Sequence, residues 1–82
     1  MKTLIDKITK AFYKDGYIWL VSEHGVELKF PIYDNPMLKN ASPDQLSNIE
    51  VSPCGIHWPE LDEDLSFSGI LEGRFGQRKK VA

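Results

Sequence analysis

The sequence predicts a small α+β domain: a mostly antiparallel sheet, made of a β-meander plus two further short strands, with one C-terminal helix packed on it. Two turn signals predict the meander, because residues 14–16 and 23–25 each end in glycine between runs rich in β-formers. An apolar stripe with helical spacing near the C-terminus predicts the helix. At 82 residues the chain has room for one core. We therefore expect a single domain over residues 1–82, ordered from about residue 7 to residue 73.

The meander is predicted from three apolar runs. In residues 7–13, side-chain types alternate in a run rich in β-formers, which predicts the first strand. Residues 17–21 are apolar at every position, which is typical of a central strand covered on both faces. Residues 26–32 alternate apolar with charged side chains, which predicts a half-buried third strand. Pro31 removes a ladder donor near the end of that strand, so we expect it at an edge of the sheet.

An irregular crossing is predicted over residues 33–48. Within it, Ser42, Pro43 and Gln45 occupy the N-cap, N1 and N3 positions of a capping box, which predicts a short helical turn through Ser47. Short strands are predicted at residues 49–51 and 56–58, because prolines and a glycine break the apolar run between and after them. The expected sheet therefore has five strands.

The C-terminal helix is predicted over residues 65–72. Its apolar stripe consists of Leu65, Phe67, Ile70 and Leu71. Three acids precede it at residues 62–64, where negative charge favours a helix N-terminus, and Asp64 or Ser66 is the candidate N-cap. Gly69 lowers helix propensity, which suggests that it allows close packing on the sheet. Residues 74–82 form a basic tail without periodicity.

Several of these motifs resemble a small bacterial family, domain-of-unknown-function family 2442. The resemblance rests on the Asp15-Gly16-Tyr17 hairpin and most specifically on Trp58-Pro59 with the Asp62-Glu63-Asp64-Leu65-Ser66 block, and it covers roughly residues 8–73. It implies a compact α+β domain with no catalytic residues or cofactor to carry over. It also implies an antitoxin-like role beside a small protein encoded next to it. Some relatives append a helix-turn-helix, for which this chain is too short.

Composition excludes several classes of function. The formal charge is −2 and the basic residues are scattered except at the C-terminus, so we expect no direct nucleic-acid binding. Cys54 is the single cysteine, so no internal disulfide forms. Charged residues interrupt every apolar run, so we expect neither a signal peptide nor a membrane span. The expected location is the cytoplasm.

Cys54 and His57 suggest a metal site or a nucleophile–base pair. A structural zinc needs about four ligands, and the chain has one cysteine and two histidines. A thiolate nucleophile needs an oriented base and a pocket. We therefore expect no metal, no cofactor and no enzyme activity. The alternative function is a small-molecule or metal-binding domain with a pocket between helix and sheet, near Cys54, His57 and Trp58.

The best indication of function is the second strand. Both of its faces are apolar, and one short helix can cover only one of them. An uncovered aromatic face is typical of a protein interface. The three acids are either a solvated turn or a surface that meets a basic partner, and the tail is either solvated or a segment that docks through Phe75. The candidate interaction surface consists of Tyr17, Trp19, Val21, Asp62, Glu63, Asp64 and Phe75. We therefore expect a non-enzymatic protein–protein interaction module that binds another protein or a second copy of itself.

Overall fold

The computed structural model describes residues 7–74, which contain six strands, two short helices and a 3-10 turn at Ile32–Asp34. The elements in chain order are β1 (Ile8–Lys14), β2 (Tyr17–Ser22), β3 (Glu27–Pro31), α1 (Pro43–Ser47), β4 (Glu50–Val51), β5 (Gly55–Trp58), β6 (Glu63–Ser66) and α2 (Phe67–Leu71). Phe75 and the rest of the predicted basic tail lie outside the described residues, apart from Arg74.

The strands form two antiparallel sheets with the orders β1-β2-β3 and β4-β5-β6. The α+β class and the C-terminal helix are confirmed. The single five-stranded sheet is wrong, because a sixth strand, β6, forms where the start of the helix was expected. It pairs with β5, and together with β4 these strands make a sheet of their own.

The prediction that a helix begins at Leu65 is wrong, because the spacing of apolar residues there fits both a strand and a helix. Glu63 and Leu65 are buried while Asp64 and Ser66 are exposed, which is the period of two that a strand requires. The helix begins only at Phe67. Ser66 caps it, since its Oγ accepts a hydrogen bond from the Gly69 backbone N–H at 3.0 Å, as one of the two predicted caps.

One hydrophobic core joins both sheets and both helices. Its buried side chains are Ile8, Ile18, Leu20, Phe30, Leu38, Leu46, Ile56, Trp58, Leu65, Phe67 and Ile70. Trp58 is fully buried, and its Nε1 donates a hydrogen bond to the Leu46 carbonyl at 3.1 Å. This bond fixes α1 against β5. The predicted capping box opens α1, because the Gln45 backbone N–H donates to Ser42 Oγ and the Ser42 N–H donates to Gln45 Oε1.

Gly55 and Gly69 both lie close to neighbouring atoms, but the close packing of Gly69 on the sheet is not observed. A Cβ at Gly55 would collide with the Leu65 carbonyl oxygen on the neighbouring strand, so only glycine fits there. At Gly69 the nearest atom to an added Cβ would be Ser66 Oγ at 2.9 Å. The expectation that Gly69 packs closely on the sheet is therefore wrong, because its close neighbour is the hydroxyl that caps its own helix.

Candidate protein interface

Among the residues that the structure describes, strand β2 has one apolar face buried and the other half-buried. Ile18 and Leu20 are fully buried in the core, whereas Tyr17, Trp19 and Val21 on the other face are half-buried. Side chains alternate across a strand, so these two sets point to opposite faces of the first sheet. The described residues therefore leave the second face partly open to solvent.

The cross-strand register defines this face, which we call the outer face, as three rows of side chains. The rows are Lys14, Tyr17 and Pro31; Phe12, Trp19 and Lys29; and Lys10, Val21 and Glu27. Directly opposed residues in neighbouring strands place their side chains on the same face. The outer face thus combines an aromatic centre with charged side chains at its margins.

The aromatic centre is held in place by contacts within the sheet. The Phe12 and Trp19 rings are stacked, with centroids 6.1 Å apart and planes 2° apart. Lys29 Nζ lies 4.8 Å from the Trp19 ring centroid and 4.5 Å from that of Tyr17, within the range of cation–π attraction. Phe12 and Lys29 come from the strands on either side of β2, so they flank the indole from both sides.

The Trp19 indole carries an unpaired donor. Its Nε1 is enclosed, and no hydrogen-bond acceptor lies within reach in the part of the chain that the structure describes. An enclosed N–H without a partner costs about 1–3 kcal/mol. Buried indole N–H groups usually have a partner, as that of Trp58 does, so Trp19 departs from the common pattern.

The outer face is positively charged, although the chain is not. Lys10, Lys14 and Lys29 are exposed on it, and Glu27 is its only acid, so the face carries a net charge of +2. The chain as a whole has a formal charge of −2. Among residues 7–74, no carboxylate forms an ion pair with any of the three lysines.

The three acids at residues 62–64 do not form one exposed cluster. Glu63 is buried, so its place in the candidate surface is wrong. It faces inward because it lies opposite Trp58 in the second sheet. Asp62 lies in the turn before β6 with a φ of 52°, and the exposed Asp64 bonds to His57 Nδ1 at 2.5 Å. These acids do not precede a helix, so they do not stabilise one.

Sequence reasoning missed a buried polar contact between Asn35 and Glu63. Asn35 is fully buried, and its Nδ2 donates to Glu63 Oε2 at 2.9 Å. Its Oδ1 accepts hydrogen bonds from the backbone N–H groups of Met37 and Leu38 at 2.8 and 3.0 Å. The Asn-Pro pair at residues 35–36 indicated a turn, but only the fold brings the side chain to Glu63. The contact ties the crossing segment to β6.

The pocket predicted between helix and sheet does not form as expected, because Cys54, His57 and Trp58 do not line one cavity. Trp58 faces the core, whereas His57 faces the opposite side of β5. Cys54 and His57 line an open groove of about 220 Å³ together with Asp64. Within residues 7–74, no group of three or more histidine, cysteine or acidic side chains is arranged to hold a metal. No helix in the same residues is long and apolar enough to cross a membrane.

These observations define a small α+β domain whose first sheet has one face in the core and one face open. The chain belongs to the family described as "Protein of unknown function (DUF2442)", whose model matches residues 8–76. The suspected family is therefore confirmed. A search of the curated proteins finds no match.

Two solved structures are similar to this chain. The crystal structure of a protein of unknown function from Rhodospirillum rubrum is 34% identical with a TM-score of 0.78, and the match covers 89% of this chain and 93% of that one. The solution structure of an uncharacterized protein from Chromobacterium violaceum is 35% identical with a TM-score of 0.77, covering 89% of this chain and 71% of that one. Both support the fold, and neither description names a function.

Proposed function

We propose that this protein is a non-enzymatic protein–protein interaction module that binds its partner through the outer face of the first sheet. The observation that carries the proposal is that Tyr17, Trp19 and Val21 on one face of β2 stay only half-buried, while the side chains on its other face are buried in the core. Exposed aromatic side chains at the centre of a surface, with charged residues around them, are typical of protein interfaces.

Rigidity of the outer face favours binding. The Phe12–Trp19 stack and the Lys29 ammonium fix the central indole before any partner arrives. Fewer side chains then lose freedom when the complex forms, which lowers the entropic cost of association. Strand β2 is also the central strand of its sheet, so the face does not depend on a flexible loop.

A narrower proposal comes from the family resemblance. In it, the partner is a small protein encoded beside this one, and binding neutralises that protein. A cytoplasmic location belongs to the same proposal, which rests on the sequence alone. Expressing the neighbouring protein in a host, alone and with this domain, tests it: growth is restored only by co-expression if the proposal holds.

The interface itself is tested by capture with matched variants. Tyr17→Thr combined with Val21→Gln removes two apolar side chains from the outer face without altering charge. The control combines Val26→Gln with Val51→Gln, two exposed apolar side chains outside the face. Each tagged protein is incubated with lysate of the organism that encodes it, and bound proteins are identified by mass spectrometry.

We expect a stoichiometric partner that the wild type and the control retain and the outer-face variant loses. Circular dichroism spectra establish that all three proteins are folded. Light scattering on the isolated wild type measures self-association, since a second copy is the other occupant of such a face. Equal capture by all three proteins would contradict the proposal.

A further inference from the structure

We infer that the outer face binds an acidic segment of a protein partner, rather than a second copy of this chain or a nucleic acid. This inference rests on the proposed function and names the chemistry of the partner. The starting observation is the net charge of +2 on the outer face of a chain whose formal charge is −2. Locally reversed charge orients an incoming partner, because complementary potentials steer association and suppress wrong partners.

The three lysines surround the aromatic centre. Lys10 and Lys14 lie on β1 on either side of Phe12, and Lys29 lies on β3 opposite Trp19. None is neutralised by an acid within the described residues. An extended acidic segment therefore finds a cation at each margin and an apolar contact area at the centre. Carboxylates on that segment pair with the lysines, and its apolar side chains cover Tyr17 and Val21.

A symmetric dimer through the same face is disfavoured by charge. A two-fold interface brings the same patch of both copies together, so two faces that each carry a net charge of +2 would meet. Like charges placed opposite one another destabilise an interface. The outer face thus fits a partner of opposite charge better than a second copy of itself.

A nucleic acid is disfavoured by the geometry of the indole. Single-stranded nucleic acids bind to protein surfaces by stacking bases on exposed aromatic faces. The Phe12 ring is stacked with the Trp19 ring at 6.1 Å between centroids, and Lys29 Nζ lies 4.8 Å from the Trp19 ring centroid. A base that stacks on the central ring would have to compete with these two neighbours. Aliphatic side chains of a partner can still contact the edge of the Trp19 ring.

Charge variants in a single row of the outer face test the inference. Lys10→Glu lowers the charge of the face and Glu27→Lys raises it, and both positions lie opposite Val21. The matched controls are Lys39→Glu and Glu50→Lys, which make the same changes at exposed positions outside the face. Opposite effects of two substitutions in one row cannot arise from loss of folding.

The probes are three short molecules: a peptide in which glutamate alternates with leucine, its lysine–leucine counterpart, and an oligothymidylate. Binding is followed by the backbone and indole N–H signals of the ¹⁵N-labelled protein. The two tryptophans give an internal comparison, since Trp19 lies on the outer face and Trp58 donates to Leu46 inside the core.

We expect the glutamate peptide to shift the Trp19 indole signal and to leave that of Trp58 unchanged. Lys10→Glu should weaken this binding by up to about tenfold and Glu27→Lys should strengthen it by up to a similar factor, as exposed ion pairs each contribute modestly. The two controls should match the wild type. Added salt should weaken binding because exposed charge pairs are screened.

The inference is overturned if the lysine peptide binds the outer face as well as the glutamate peptide does, or if the charge variants do not differ from their controls. The proposed function is tested separately. If the wild type captures a partner that the Tyr17→Thr/Val21→Gln variant loses, the proposed function holds even when the inference about an acidic partner fails. Binding of oligothymidylate to the outer face without binding of either peptide would overturn both. If the protein forms a dimer that Lys10→Glu strengthens, the inference about an acidic partner fails, whereas the proposed function as an interaction module does not.

Discussion

The buried contact between Asn35 and Glu63 yields the sharpest prediction about stability. Asn35→Asp preserves the side-chain oxygen that accepts hydrogen bonds from the Met37 and Leu38 backbone N–H groups. It removes the Nδ2 donor that lies 2.9 Å from Glu63 Oε2 and places a second carboxyl group against the first. Both residues are buried, so water does not relieve the contact.

The magnitude follows from this geometry. Removing the donor from a buried hydrogen bond costs about 1–3 kcal/mol, and the second carboxyl group adds a further penalty because two buried carboxyl groups in contact disfavour ionisation of both. We therefore expect Asn35→Asp to lower the free energy of unfolding by about 3–5 kcal/mol. Small domains have total stabilities near the lower end of roughly 5–15 kcal/mol, so the variant should be close to unfolding.

Urea denaturation followed by tryptophan fluorescence measures the effect. With a slope of about 1 kcal/mol/M, the midpoint should fall by about 3 M or more. Glu63→Gln alone keeps an acceptor for Asn35 and should cost only about 1 kcal/mol. In the double variant the new amide can donate to the new carboxylate, so the combined loss should be smaller than the sum by about 2 kcal/mol.

Two results would refute this reasoning. One is an Asn35→Asp protein within about 1 kcal/mol of the wild type, which a buried pair of carboxyl groups does not allow. The other is a double-mutant cycle that is additive within about 0.5 kcal/mol, which is typical of residues that do not interact.

Two further substitutions test the backbone of the fold. Gly55→Ala should destabilise the domain by about 3 kcal/mol or more, because its Cβ meets the Leu65 carbonyl oxygen and backbone cannot move aside as a side chain does. Thermal unfolding measures this, and a melting temperature equal to that of the wild type would contradict the predicted collision. Ser42→Ala should cost about 1 kcal/mol through loss of the α1 cap, whereas Ser42→Asp should retain most of the stability. Equal losses for both variants in urea unfolding would show that capping is not the cause.

Local sequence patterns determined the meander and the short helices. The glycine-containing turns fixed both hairpin positions, since a tight turn needs a residue that tolerates positive φ, as Gly16 does with a φ of 84°. The capping box at Ser42 and the cap at Ser66 were equally readable, because both act over a few neighbouring residues. The two apolar faces of β2 also followed from the sequence.

Only the tertiary structure decided what happens at residues 62–66 and which sheet each strand joins. An acid followed by alternating apolar residues fits a helix start or a strand, and pairing with β5 selects the strand. The same pairing buries Glu63 against Asn35, 28 residues earlier in the chain, a contact that no local pattern encodes. The outer face likewise gains its charge only when the register brings Lys10 and Lys14 from β1 and Lys29 from β3 around Trp19. Non-local pairing determines these features, since short-range propensity is weaker than the burial it competes with.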